Sequence, residues 1–203
     1  MSAVEIIGVA ASVSLLAGWR LYLAIVAVGI AMRAGWVALP DQIAALDVLA
    51  NPWVIGIAAV GAIAEFFADK VMWLDSLWDT VHTLIRPIGG AMLALALVDP
   101  GNPSWQIIVF LLGGGASLMT HGAKATARAA VNTSPEPVSN VVVSTAEDVA
   151  TAGLLTLALA NPVAAVVIAL VLALAAVGIL VLMWRFAKRV FRRRPEPVPP
   201  PTG

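Results

Sequence analysis

Four ionisable or amide stripes stand out in this chain. Glu65 and Asp69 lie four residues apart, on one face of a helix, at the end of a short apolar run, with Lys70 next to them. Asp75, Asp79, His82 and Arg86 recur at i, i+4, i+7 and i+11, with Trp73, Leu74, Leu77, Trp78, Val81 and Ile85 opposite. His121, Lys124, Arg128 and Asn132 repeat a similar spacing, as do Asn140, Ser144, Glu147 and Thr151, with Asp148 adjacent. Arg20 stands alone in an apolar run. An unpaired charge at the centre of a bilayer-crossing helix costs roughly 2.5–3.5 kcal/mol on insertion scales, so each of these groups needs a counter-charge, a proton or water. Arg20 is expected to partner Glu65, Asp69 or Glu147, and Glu147 could equally pair with Lys124 or Arg128.

The chemistry open to these groups falls into three classes. In the first, Arg20, Glu65, Asp69, Lys70, His121, Lys124, Arg128, Asn140, Ser144, Glu147 and Asp148 line a polar pathway in a small transporter or permease for an ion or small charged solute. Ionisable residues at membrane depth, interrupted helices and helix starts preceded by Pro are devices transporters use. In the second, Asp75, Asp79 and His82 hold a divalent cation such as Mg²⁺, Mn²⁺ or Zn²⁺ while Lys124 and Arg128 hold phosphate, giving a membrane-embedded enzyme acting on lipid headgroups or phosphates. No Gly-x-Ser-x-Gly, His-Glu-x-x-His or Walker-type motif supports it, and nothing in the sequence requires a cofactor. In the third, the charges only specify packing in a structural or accessory membrane protein. For the 71–86 stripe, the corresponding alternative is an interfacial helix whose acids are solvated.

The elements that must position these groups are membrane helices. Of the 203 residues 61% are hydrophobic and 12% charged, with a net charge of zero and a mean hydropathy of +0.94. Soluble domains carry roughly 25% charged residues. The absence of cysteine excludes disulfides, thiolate metal sites and thiol nucleophiles, and the charge balance removes a case for nucleic-acid binding. Val163–Trp184 is a clean span of the required ~20 residues, closed by Arg185, Lys188 and Arg189. Five further spans are expected at Ile6–Met32, Trp53–Ala68, Val71–Val98, Ser104–Asn132 and Val138–Ala160, all interrupted, short or amphipathic. The fold expected is therefore an all-α polytopic bundle of six spans in one domain over 1–187, which would allow a 3+3 inverted repeat. A basic, then Pro-rich, disordered cytoplasmic tail is expected over 188–203.

Local signals mark the ends. Asn51-Pro52, Asn102-Pro103 and Asn161-Pro162 read as turns that stop one helix and open the next, and Pro135 and Pro137 as a helix entry. Pro87 should end or kink the helix that carries Arg86, and Gly113-Gly-Gly-Ala-Ser117 should allow close helix approach. Asp41–Ala50 reads as a short interfacial helix. With both termini cytoplasmic, Arg20 is inside a span, Arg33 alone is external, and the other ten Lys and Arg fall on the cytoplasmic side. Expected partners are the bilayer, anionic lipid at the basic tail, and a small ion or solute; an oligomer is compatible with the sequence.

Gly18-Trp-Arg20, Ala64-Glu-Phe-Phe-Ala-Asp69-Lys70-Val-Met-Trp-Leu-Asp75-Ser-Leu-Trp-Asp79, Arg86-Pro87-Ile-Gly89-Gly90, His121-Gly-Ala-Lys124 and Ser134-Pro135-Glu-Pro137 followed by Glu147-Asp148 form one combined pattern. It resembles the uncharacterised membrane family called domain of unknown function 4126, over roughly residues 10–175. Met72 departs from the pattern, which often has Pro there. The resemblance implies a polytopic protein of a bacterial-type cytoplasmic (inner) membrane. These polar residues would be its signature, with Arg86, Pro87, Gly89, Gly90, Pro135 and Pro137 in structural positions. It implies no activity.

Overall fold

A computed structural model describes residues 2–36, 48–98, 102–131 and 137–192. They form seven helices: α1 (Ala3–Trp19), α2 (Leu21–Arg33), α3 (Pro52–Ala68), α4 (Met72–Leu97), α5 (Pro103–Val131), α6 (Pro137–Ala160) and α7 (Pro162–Arg192). No strand occurs among the described residues. Four helices have segments long and apolar enough to cross a bilayer: Met72–Leu97, Pro103–Val131, Val141–Ala160 and Pro162–Arg189; α1, α2 and α3 are shorter and apolar. This is a multi-pass helical membrane protein.

The single span expected over Ile6–Met32 is two helices. Arg20 ends α1 and starts α2 with a non-helical φ/ψ of −143°/80°, so the backbone breaks at the one charged residue of the run. Pro87, in contrast, does not end α4, which continues to Leu97. Ser117 of α5 donates its hydroxyl to the Arg86 carbonyl beside this proline, at 2.8 Å. Despite Met72 in place of proline, α4 begins at that residue, with Val71 extended before it and no side-chain cap. α7 runs through Lys188 and Arg189 to Arg192, past the expected start of the tail. The rest of the tail, the Asp41–Ala50 segment up to residue 47, Asn132 and Pro135 lie outside the described residues.

The helix ends follow from local chemistry. Ser2 and Glu5 form a reciprocal capping box on α1. Three helices share one starting device, an Asn side chain before a proline: Asn51, Asn102 and Asn161 accept from the amides of Trp53, Ser104 and Ala164 at 2.8, 2.9 and 3.0 Å. α2 closes with Gly35 at φ +67°, where its amide bonds the Met32 carbonyl and that of Trp36 bonds Ala31, the paired 5→2 and 6→1 closure that a left-handed residue permits.

α1 is the central element, packed against α4, α5, α6 and α7, with Val9, Val13, Leu16 and Ala17 buried. α7 lays Ala165, Ile168, Ala169 and Leu172 into this core and exposes Leu170, Val171 and Leu174. α4 is inverted relative to a helix of a soluble protein: Asp75, Asp79, His82 and Arg86 are buried, while Trp73, Leu77, Leu84 and Ile88 are exposed. Apolar surface turned outward with charges turned inward suits a lipid solvent, and it replaces the interfacial arrangement in which the acids would be solvated. Small residues bring α1, α4 and α5 together. A Cβ added at Gly18 would lie 2.0 Å from Thr120 Oγ1 and 2.3 Å from the Ser117 carbonyl, and one at Gly90 would lie 2.4 Å from Ser117 Cβ. Gly113 faces Ala94 and Gly114 faces Pro87, whereas Gly115 faces open space. Gly89 sits against the Leu21 side chain.

Candidate functional site: a buried network of ion pairs

Charged side chains from α3, α4, α5 and α6 and from the break between α1 and α2 meet inside the bundle in two linked groups. Arg86 of α4 centres the first. Its Nη2 donates to Glu65 Oε1 of α3 at 2.7 Å, and its Nη1 donates to Asp79 Oδ1 at 3.1 Å, to His121 Nδ1 of α5 at 2.6 Å and to the Gly18 carbonyl at 3.3 Å. Arg86, Glu65 and His121 are all buried. Thr83 donates its hydroxyl to the Asp79 carbonyl, so His121 Nε2, 3.1 Å away, is the donor to Thr83 Oγ1. Nδ1 then accepts from Arg86, and the ring carries its proton on Nε2.

Arg20, at the break between α1 and α2, centres the second group. Its Nη1 bonds Asp69 Oδ2, its Nη2 reaches Asp148 Oδ1 at 2.9 Å and the Ser144 carbonyl at 3.2 Å, and Glu147 Oε2 lies 3.6 Å away. Lys124 of α5 joins it, 2.8 Å from Asp69 Oδ2 and 4.0 Å from Glu147 Oε2. Lys70 bridges Asp148 and Ser144 Oγ at 3.4 Å each, with its ammonium over the Phe66 ring. Arg128 pairs with Asp75 at 3.1 Å and donates to the Asp69 carbonyl, tying the end of α3 to α4 and α5.

The expected pathway residues are thus largely brought together. Arg20, Asp69, Lys70, Lys124, Ser144, Glu147 and Asp148 share one group, Glu65 and His121 share the other, and Arg128 sits beside both. Arg20 takes Asp69 and Asp148 as partners, while Glu65 goes to Arg86. Arg86, expected as a structural residue, is a hub of the network. Pro137 opens α6, whose Asn140 side chain lies outside the described residues.

The divalent-cation grouping is not formed. Asp75 goes to Arg128 and Asp79 to Arg86, while His82 donates Nδ1–H to the Trp78 carbonyl at 2.7 Å and accepts from Tyr22 Oη at 3.0 Å. No cluster of three or more His, Asp or Glu able to hold a metal ion occurs among the described residues. Asp75 is drawn to α5 and His82 to α2, while Asp79 pairs along α4 itself, so packing partners override their common spacing. Sequence reasoning missed Tyr22 and Thr83. Tyr22 is the only tyrosine in the chain and lies two residues from Arg20, the one signal that could have found it.

Two cavities flank the network. One of about 210 Å³ between α4 and α5 is lined by Asp75, Asp79, Thr83 and Arg128, and one of about 290 Å³ between α2, α3 and α6 is lined by Arg20, Glu65, Phe66 and Asp148. Thr83, His121, Arg86 and Glu65 form a continuous hydrogen-bonded chain from one cavity wall to the other.

Fold and site together define a polytopic helical membrane protein organised around buried, inter-helix ion pairs. The chain belongs to the family described as domain of unknown function (DUF4126), which it matches over residues 7–182. No curated protein and no solved structure matches it.

Proposed function

We propose that the protein is a small transporter or permease whose ion-pair network forms the barrier in a polar pathway for an ion or small charged solute. The observation that carries this reading is the hydrogen-bonded chain joining the two cavities, each of which has network carboxylates and an arginine in its wall. Opening begins with exchange of partners around Arg20, which stands at a helix break of the kind found where transporters place ion and substrate sites. In this reading the basic end of α7 and both termini face the cytoplasm of a bacterial-type inner membrane, and the Arg-rich tail touches anionic lipid.

Liposome flux with a panel of inorganic ions and small anions tests the proposal. Wild type should carry at least one solute, and Asp148→Asn and Arg20→Gln should reduce that flux at least tenfold in protein that still elutes as a folded species. No flux for any solute overturns it.

A further inference from the structure

One acid of the network stands apart. Asp69, Asp75, Asp79, Asp148 and Glu65 each have a cationic nitrogen within 3.4 Å. Glu147 has none within hydrogen-bond reach: Arg20 is 3.6 Å and Lys124 4.0 Å from its Oε2, which is buried without a hydrogen-bond partner. One turn on, along the same face of α6, Thr151 is fully buried and its hydroxyl also has no partner. Of the other six described threonines, Thr80, Thr83, Thr126, Thr145 and Thr156 donate to the carbonyl four residues back, and Thr120 donates to the Leu15 carbonyl at 2.7 Å. Thr151 departs from that habit, one turn from the acid that lacks a bond.

Charge points the same way. Among the described residues the network holds six carboxylates, Glu65, Asp69, Asp75, Asp79, Glu147 and Asp148, against the five cations Arg20, Lys70, Arg86, Lys124 and Arg128. The groups facing Glu147 are Arg20 from the α1–α2 junction, Lys124 and Arg128 from α5, Asp69 from the end of α3, and Asp148 beside it with Lys70. α7 brings no titratable side chain between Pro162 and Trp184.

We infer that Glu147 is the proton-binding carboxylate of this network, with Thr151 as the hydroxyl that receives the bound proton's hydrogen bond. Oε2 and Thr151 Oγ1 are not bonded to each other in the carboxylate arrangement. A proton taken from water onto Oε2 makes an O–H that, with the Glu147 side chain turned along the shared face of α6, Thr151 Oγ1 accepts, and it brings the charges of the network into balance. Releasing it to water leaves a carboxylate that competes with Asp69 and Asp148 for Arg20 and Lys124. Identifying the proton as the ion coupled to solute movement rests on the transport reading; the proton site itself does not.

Infrared difference spectroscopy on the full chain in liposomes, stepped between about pH 5 and pH 9, tests it by the carboxylic-acid carbonyl band. A band that grows on acidification, is lost in Glu147→Gln, persists in Asp148→Asn and shifts to higher frequency in Thr151→Val is the expected result. No titrating band in wild type, or a band unchanged in both Glu147→Gln and Thr151→Val, overturns it. Solute flux in the same liposomes separates the two readings: flux without the band defeats the proton site, and the band without flux defeats the transport reading alone.

Discussion

The two halves of the network are built from the same residue types and behave as opposites. Around Arg86, one guanidinium is shared by Glu65, Asp79 and a histidine that accepts from it, and the pairs are nearly or wholly buried. Around Arg20, four carboxylates or carbonyls crowd one guanidinium, Lys124 and Lys70 share the load, and the carboxyls of Glu147 and Asp148 remain about one-fifth exposed. Ion pairs held out of water are costly to break from one side. The Arg86 half is therefore suited to hold the helices in place, and the Arg20 half, where two carboxyls keep access to water, is suited to change partners.

Removing the centre of the rigid half should give the largest effect. Arg86→Met leaves Glu65 and Asp79 buried without their cation and should cost about 3–5 kcal/mol, read as a collapsed detergent melting transition or loss of folded protein. Next comes the seam on which both halves rest. Gly18→Ala drives a methyl into the Ser117 carbonyl and the Thr120 hydroxyl and should cost about 1–3 kcal/mol, whereas Gly115→Ala, with nothing within 4 Å, should stay within about 0.5 kcal/mol of wild type in the same melt. In the adaptable half the stability cost should be smaller: Glu147→Gln removes no hydrogen bond and should change stability by less than about 1 kcal/mol while abolishing proton-dependent flux. If its melt falls as far as that of Arg86→Met, the contrast between the halves is wrong. Smallest of all, Thr151→Val buries a methyl in place of a hydroxyl that has no partner and should be neutral or stabilising by up to about 1 kcal/mol.

Much of this was legible from spacing. The stripes on α4, at i, i+4, i+7 and i+11, and on α5, at i, i+3, i+7 and i+11, were readable because one-face periodicity is a property of the helix itself, and Asp75, Asp79, His82 and Arg86 of the one and His121, Lys124 and Arg128 of the other are buried. The partners were less legible, because spacing along one helix carries no information on its register against another. Glu65 could have met Arg20 by sequence alone; it meets Arg86 because α4 brings that guanidinium between α3 and α5. The break at Arg20 was hidden for a similar reason. Neither proline nor a turn dipeptide marks it, and the guanidinium at this break is bonded to carboxylates on α3 and α6. Pro87 shows the reverse case, a strong local breaker carried inside a helix, with Ser117 bonded to the adjoining carbonyl.

The glycine seam has a mechanical consequence. With Gly18 against Ser117 and Thr120, and Gly90 against Ser117, α1, α4 and α5 mesh like toothed racks. Sliding one past another by a single residue, about 1.5 Å, would set a side chain against a backbone that has room for none. Those three helices can turn only as one body. Whatever motion frees the charges around Arg20 has to be sought in α2, α3 and α6, which carry that group's outer partners and rest against the body rather than within it.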